Sequence, residues 1–234
     1  MKALILAAGL GTRLAPITND VPKSLVPVNG KPILIKQIEN LYQNDVTDIT
    51  IISGYKASVL KDVISGKYPE IKIIDNVDYK ITNNMYSAYL GKDAMGSSEF
   101  LMMNADVFYD ASVIKSLLLH EAPNAIVTDL GTYIDESMKV VEKNGRLVEI
   151  SKQISPEEAL GASIDVYKFS PDAGACFFEK CREFIEDKNE LQLWSEVALN
   201  AILQAVEFVA CPLDGRWLEI DNHEDLAAAE KLFA

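Results

Sequence analysis

The chain has 234 residues, 49% hydrophobic and 24% charged, with a formal net charge of −13. That is enough chain for one α/β domain and too apolar for a disordered one. No apolar run approaches the roughly 20 residues of a membrane span, and the acidic balance argues against nucleic acid as a partner.

"KALILAA", at residues 2–8, is continuously apolar and reads as a buried parallel strand. It runs into a glycine turn, Gly9-Leu10-Gly11-Thr12-Arg13, where a secretory leader would continue apolar to a small-residue cleavage site. A cytoplasmic location is the expectation. Lys2, Arg13, Lys23, Lys31 and Lys36 stand against Asp20 alone in the first 36 residues, a basic island suited to a small polyanion. "PILIKQIENLYQND" places Ile33, Leu34, Ile38 and Leu41 at helical spacing after Pro32. "DITIISG" reads as a strand, "KASVLKDVIS" as a helix and "IKIIDN" as a third strand. Strand and helix alternate, which predicts a mostly parallel sheet flanked by helices with its ligand site at the strands' carboxyl ends.

"TNNMYSAYLGKDAM" reads as a short helix capped by Asn83 or Asn84. "EFLMMNAD" is a buried strand ending at Asp106, and "DASVIKSLLLHE" a helix with Asp110 as its cap. "AIVTDL" is a strand. "MKVVEKNGRLVEISK" forms two β runs around Asn144-Gly145, a hairpin signal. "ASIDVYKFSP" is a further strand, "DAGACFFEKCREFIED" and "LWSEVALNAILQA" are helices, "VEFVAC" and "RWLEID" late strands, and "HEDLAAAEKLFA" a closing helix. The expected organisation is a single domain over 1–234 with a small β insertion over 131–170. Cys176, Cys181 and Cys211 show no CxxC spacing, so buried thiols are expected rather than disulfides or structural zinc.

Strand, glycine turn, helix is a recurring phosphate site, because glycines let backbone N–H groups converge on phosphate oxygens. The P-loop pattern GxxxxGK[ST] is absent. The dinucleotide pattern GxGxxG lacks its third glycine at Leu14, and Ser53-Gly54-Tyr55 stands where a ribose-binding acid belongs. A dinucleotide oxidoreductase is therefore disfavoured. Arg13 and Lys23, the latter between prolines in "VPKSLVPV", supply the positive charge that a triphosphate needs.

"LAAGLGTRLAPITNDVPKSLVPVNGKPI" resembles the N-terminal signature of the sugar nucleotidyltransferase superfamily, LAAGxGTRL…PKxLxPVxGKP. "MNADVF" and "WLEIDNHEDL" resemble that family's two metal-binding segments. "TNNMYS" and the short chain are most similar to its cytidylyltransferase branch, which includes phosphocholine cytidylyltransferases and the phosphoglutamine enzymes of bacterial capsule synthesis. The resemblance implies a Rossmann-like α/β fold. It implies Mg²⁺-dependent transfer of CMP from CTP to a small phosphorylated acceptor, with release of pyrophosphate, in cell-surface or capsule polysaccharide modification. A sugar-1-phosphate uridylyl- or thymidylyltransferase is the alternative.

The resemblance also distributes roles. Backbone amides of Leu10, Gly11 and Thr12 would cradle the triphosphate. Arg13 would hold its outer phosphates. Lys23 would sit between the α-phosphate and the attacking phosphate. Asp106 and Asp221 would hold Mg²⁺, with Glu219 beside them. A helix N-cap is the other reading of both aspartates. Leu6, Ala7, Ala8, Gly9, Gly54, Tyr55, Asn84, Ser87 and Ala105 would surround the nucleotide. Tyr133, Trp194, Trp217 and Glu196 are acceptor candidates, and Arg182, Lys168 and Arg216 are charges available to a zwitterionic acceptor. A phosphate nucleophile is already ionised at neutral pH and needs no general base, so His120 and His223 read as structural. No membrane partner is expected, and a homodimer stays open.

Overall fold

The computed structural model covers residues 1–234. Thirteen strands and eight α-helices follow the chain. β1 (Lys2–Ala7) is followed by three short 3₁₀ turns, at Thr12–Leu14, Ile17–Asn19 and Lys23–Leu25. The two-residue strands β2 (Pro27–Val28) and β3 (Lys31–Pro32) pair with each other. Then come α1 (Ile33–Tyr42), β4 (Asp48–Ser53), α2 (Ala57–Lys67), β5 (Lys72–Asp75), α3 (Asn84–Leu90), α4 (Lys92–Met95), β6 (Phe100–Asn104), β7 (Val107–Tyr109) and α5 (Ala111–Leu119). The second half holds β8 (Ala125–Leu130), β9 (Lys139–Lys143), β10 (Arg146–Ser151), β11 (Gly161–Phe169), α6 (Pro171–Arg182), α7 (Ser195–Ile202), β12 (Val209–Pro212), β13 (Trp217–Glu219) and α8 (His223–Leu232).

Nine strands form one sheet. Its path is β10-β9-β11-β6-β1-β4-β5, and β8 and β12 branch from β11. β6, β1, β4 and β5 are mutually parallel, and β12 is parallel to β8. β11 runs antiparallel to β6, β8 and β9. The segment 131–170 thus contributes β11 to the middle of the sheet, and the β9–β10 hairpin extends the same sheet beside it.

The period-2 alternation of β1 divides its side chains between two cores. Ala3, Ile5 and Ala7 pack with α1, α2 and α5, while Leu4 and Leu6 pack with α3, α6 and α7. Both faces are therefore covered, which is why "KALILAA" carries no polar alternation. A third, smaller core seats Leu226 and Ala229 of α8 against Leu14, Val26 and Ile33. It ties the carboxyl end of the chain to the glycine turn at its start. No helix is long and apolar enough to cross a membrane.

Three local expectations are corrected. Asp110 does stand at the N-cap of α5, but its carboxylate makes no cap bond and instead receives the Arg216 guanidinium at 2.9 and 3.0 Å. The thiols of Cys181 and Cys211 are buried, whereas Cys176 is exposed on α6. Neither Asp106 nor Asp221 caps a helix. Asp106 lies in the turn between β6 and β7, and the cap of α8 is Asn222, which accepts from the Glu224 and Asp225 amides.

Candidate active site

The parallel strands β1 and β6 end side by side, and their carboxyl ends open on a cavity of about 260 Å³. Leu6, Ala8 and Gly9 come from the end of β1, and Asn104 and Asp106 from the end of β6. Glu219 and Asp221 arrive from β13, which pairs antiparallel with β7 and so returns to the same place from the far end of the sequence. Gly11 has φ +62°, and a Cβ there would meet Lys23 Cβ at 2.7 Å. The turn therefore presses directly on the root of the lysine's side chain. Gly54, at the end of β4, faces Ala8, whose carbonyl oxygen a Cβ would approach to 2.7 Å.

Lys23 is the centre of the charge network. Its ammonium donates to Asp106 Oδ2 at 2.8 Å and to Asp221 Oδ1 at 2.6 Å. Arg13 reaches Asp221 Oδ2 at 2.7 Å. Burial alone would lower the lysine's pKa, but the Asp106 and Asp221 carboxylates outweigh it and hold it above its ordinary value. Asp221 is held below the ordinary carboxylate range, because Lys23 and Arg13 outweigh its partial burial.

Oxygens of Asp106, Glu219 and Asp221 lie within 4.8 Å of one another. Asp106 Oδ1 is buried and has no hydrogen-bond partner. Burial, and then the neighbouring charges of Asp106, Asp165 and Asp221, push Glu219 up to about 9. Lys23 and Arg13 thus leave the cluster short of positive charge, and one acceptor oxygen is free. Three carboxylates so arranged suit a hard divalent cation such as Mg²⁺, which takes few carboxylates alongside phosphate oxygens.

Two other groups of side chains line the cavity. Asn76, Tyr79, Thr82, Asn83 and Ser87 form one, around the start of α3. Asn76 donates to Thr82 Oγ1 at 3.0 Å and to Ser87 Oγ at 3.1 Å. Ser137, Met138, Lys152, Asp165, Trp194 and Glu196 form the other, from the hairpin region, β11 and the start of α7. A smaller cavity of about 40 Å³, touching Leu6, Ala7, Gly9, Lys23, Ser24, Ala105 and Asp106, adjoins the end of β1.

The residues singled out in the sequence are thus unevenly gathered. Leu6, Ala7, Ala8, Gly9, Arg13, Lys23, Asn84, Ser87, Ala105, Asp106, Asp221, Trp194 and Glu196 line one or both cavities. Leu10 is exposed on the turn beside them and Thr12 opens the first 3₁₀ turn. Asn84 is engaged with the protein, its oxygen accepting from the Ser195 amide at 2.8 Å. Tyr55 is turned aside, its hydroxyl donating to Thr18 O at 2.9 Å. Tyr133 is exposed and lies against Lys139. Trp217 donates to Asp129 at 2.9 Å and lines an adjoining cavity that shares Ser137, Glu219 and Asp221 with the first. Lys168, Arg182 and Arg216 are bound to His120 O, to acids of α6 and its end, and to Asp110. His120 and His223 both lie outside the cavity, His223 beside Ala15 O at 2.8 Å.

Asn76, Asn104, Lys152 and Asp165 escaped the sequence reading. Asp165 has φ +57° at the point where the β8–β11 register shifts between Ser163 and Tyr167. That bulge re-aims a side chain inside an otherwise regular strand, and "ASIDVYKF" carries no glycine to announce it.

A glycine turn, a lysine and two strand-end acids set around one cleft define a nucleotidyltransferase. The family model described as Nucleotidyl transferase matches residues 2–233, and the chain belongs to that family. Among its relatives, CTP:phosphoglutamine cytidylyltransferase of Campylobacter jejuni is 28% identical over 248 residues, covering 97% of this chain and 98% of the relative. Choline-phosphate cytidylyltransferase of Streptococcus pneumoniae is 47% identical over 98 residues, 42% of either chain. The solved structure of CTP:phosphocholine cytidylyltransferase from Streptococcus pneumoniae matches with a TM-score of 0.83 at 24% identity, over all of this chain and 99% of that one, a likeness of fold.

Proposed function

We propose that this protein is a Mg²⁺-dependent cytidylyltransferase. It moves CMP from CTP to a small phosphate-bearing acceptor, phosphocholine-like or phosphoglutamine-like, releases pyrophosphate, and supplies an activated group for cell-surface or capsule polysaccharide. One observation carries the reading: the Lys23 ammonium sits 2.8 and 2.6 Å from Asp106 and Asp221, beside the Gly9–Arg13 turn and at the edge of the cleft that both acids line. The two relatives named above, both CTP-dependent or choline-phosphate enzymes by name, support the choice of base and acceptor.

The acceptor's phosphate oxygen attacks the α-phosphorus, and the pyrophosphate oxygen leaves in line. Catalysis is then positioning and charge neutralisation. Amides of the Leu10–Thr12 turn and the Arg13 guanidinium hold the outer phosphates. Lys23 leaves its carboxylates for the α-phosphate and the incoming phosphate, two groups that otherwise repel. Asp106 and Asp221, with Glu219 beside them, would hold Mg²⁺. The ion, when bound, neutralises charge on the phosphate oxygens. The Ser87 hydroxyl accepts from Asn76, so its own proton is free for an acceptor on the base edge.

The test is pyrophosphate release with each of four nucleoside triphosphates against a panel of phosphorylated acceptors, with and without EDTA. CTP is expected to be the productive nucleotide and EDTA to stop the reaction. Turnover of UTP or dTTP with a hexose 1-phosphate, and none with CTP, would replace the assignment by the sugar enzyme.

A further inference from the structure

The wall of the cavity built by β11 and α7 holds two carboxylates that the transfer chemistry leaves unused. Glu196 is 2% exposed and Asp165 sits on the bulge described above. The Tyr167 hydroxyl bridges them, 2.8 Å from Asp165 Oδ1 and 2.8 Å from Glu196 Oε1. A phenol has one hydrogen, so it donates to only one of them at a time. Asn104 Nδ2 reaches the other oxygen of Asp165 at 2.9 Å, and Ser195 Oγ reaches Glu196 at 3.1 Å.

These neighbours are neutral donors. No lysine or arginine forms an ion pair with Asp165 or Glu196, although twelve such pairs occur elsewhere in the chain. Lys152 lines the same cavity, but its ammonium lies over the Trp194 ring at 4.9 Å from the centroid. Trp194 therefore presents a face that already receives a cation, next to two acids that have none. Buried carboxylates without a counter-charge are costly. Burial and their mutual repulsion push Asp165 up to about 7, as expected for a pair short of positive charge. Hydroxyl groups of a sugar would add hydrogen bonds here without adding charge. A cationic group adds the missing charge, whether or not it carries an N–H to donate.

We propose that Asp165, bridged by Tyr167 to the acceptor candidate Glu196, completes an acidic pair that determines acceptor specificity and receives a positively charged ammonium-type group on the acceptor while its phosphate faces Lys23. The proposal rests on the nucleotidyl-transfer reading of the cavity, and assigns the residues that select the acceptor by charge.

The experiment compares matched acceptors with CTP and Mg²⁺. Phosphocholine, phosphoethanolamine and phosphoglutamine are each run beside a counterpart in which carbon or hydrogen replaces the ammonium, 3,3-dimethylbutyl phosphate being that of phosphocholine. For the acceptor that turns over, kcat/KM is expected to exceed that of its uncharged counterpart by roughly thirtyfold or more. In Glu196→Gln and Asp165→Asn this ratio is expected to fall below about tenfold. A ratio tolerates general loss of activity, and the wild-type comparison stands even where a variant folds poorly. A ratio near one in the wild type, or a ratio unchanged in both variants, overturns the proposal. So does a hexose 1-phosphate preferred over every ammonium-bearing acceptor, which leaves nucleotidyl transfer standing. Absence of pyrophosphate with every nucleotide and acceptor overturns the transfer reading, and this proposal with it.

Discussion

Replacing Lys23 by Met removes the one cation shared by Asp106 and Asp221. The three side chains are 13%, 26% and 22% exposed. Breaking a buried ion pair by deleting one partner costs about 3–5 kcal/mol. Partial solvent access and the surviving Arg13 contact to Asp221 reduce this to about 2 kcal/mol. At this chain length that corresponds to a fall in Tm of roughly 4–8 °C. The loss has a particular remedy. With Asp106 and Asp221 holding a divalent ion as proposed, the wild-type ammonium would compete with it for the same oxygens. Without it, Asp106 has two oxygens free, since Oδ1 has no partner even in the intact protein. Mg²⁺ is therefore expected to raise the Tm of Lys23→Met more than that of the wild type, by the usual mass-action linkage. Nucleotidyl transfer is expected to fall by about a hundredfold or more, because the lysine's charge acts on the phosphates in flight. Thermal melts in EDTA and in saturating MgCl₂, with pyrophosphate release alongside, check both arms. A variant as stable as wild type in EDTA, indifferent to Mg²⁺ and close to wild type in rate would refute the reasoning.

Asp165 gives a pH signature. Its carboxyl ionises near 3.9 in an unfolded chain and near 7 when folded, first because of burial and then because of Glu196 and Asp106. Between those values the folded state keeps a proton that the unfolded state has lost, so stability falls as pH rises through the window. Asp165→Asn removes the effect. Its stability relative to wild type is expected to be better at pH 8 than at pH 5 by about 2 kcal/mol, read from urea melts; an equal difference at both pH values contradicts it. Gly11→Ala combines a left-handed φ with a Cβ 2.7 Å from that of Lys23. It is expected to lose about 1–3 kcal/mol and to raise KM for CTP, measurable by melts and steady-state kinetics. Asn222→Ala removes the capping box of α8 and is expected to cost about 1 kcal/mol. Native thiol labelling is expected to modify Cys176 rapidly and Cys181 and Cys211 only on unfolding, because two of the three are buried; mass spectrometry of the labelled peptides checks it.

Much of the fold was legible in local pattern. Uninterrupted apolar runs such as "KALILAA" and "EFLMMN" marked strands covered on both faces, since a parallel strand between helix layers has no polar side. The Asn144-Gly145 turn marked the β9–β10 hairpin, and both its residues take positive φ. The Gly9–Arg13 turn, Lys23 and the two strand-end aspartates stood out through the family resemblance, and the structure brings Arg13, Lys23, Asp106 and Asp221 together at one cleft.

The proposed acceptor wall was legible only in part: Trp194 and Glu196 line the cavity, whereas Lys152 and Asp165 carried no signal. Trp217 lies in the adjoining cavity, which shares Ser137, Glu219 and Asp221 with the site, and Tyr133 is exposed against Lys139. Asp165 lies within "ASIDVYKFSP", a run that reads only as a strand. Its place beside Glu196 depends on a register shift in β11 and on the packing of α7 against it, contacts made between residues about thirty positions apart. The sequence by itself determined the layered fold and the glycine turn proposed to take the triphosphate, because periodicity and turn chemistry act within a few residues. Only the tertiary structure decided which acids share the cavity, because a bulge and a helix docking bring together side chains that no local pattern relates.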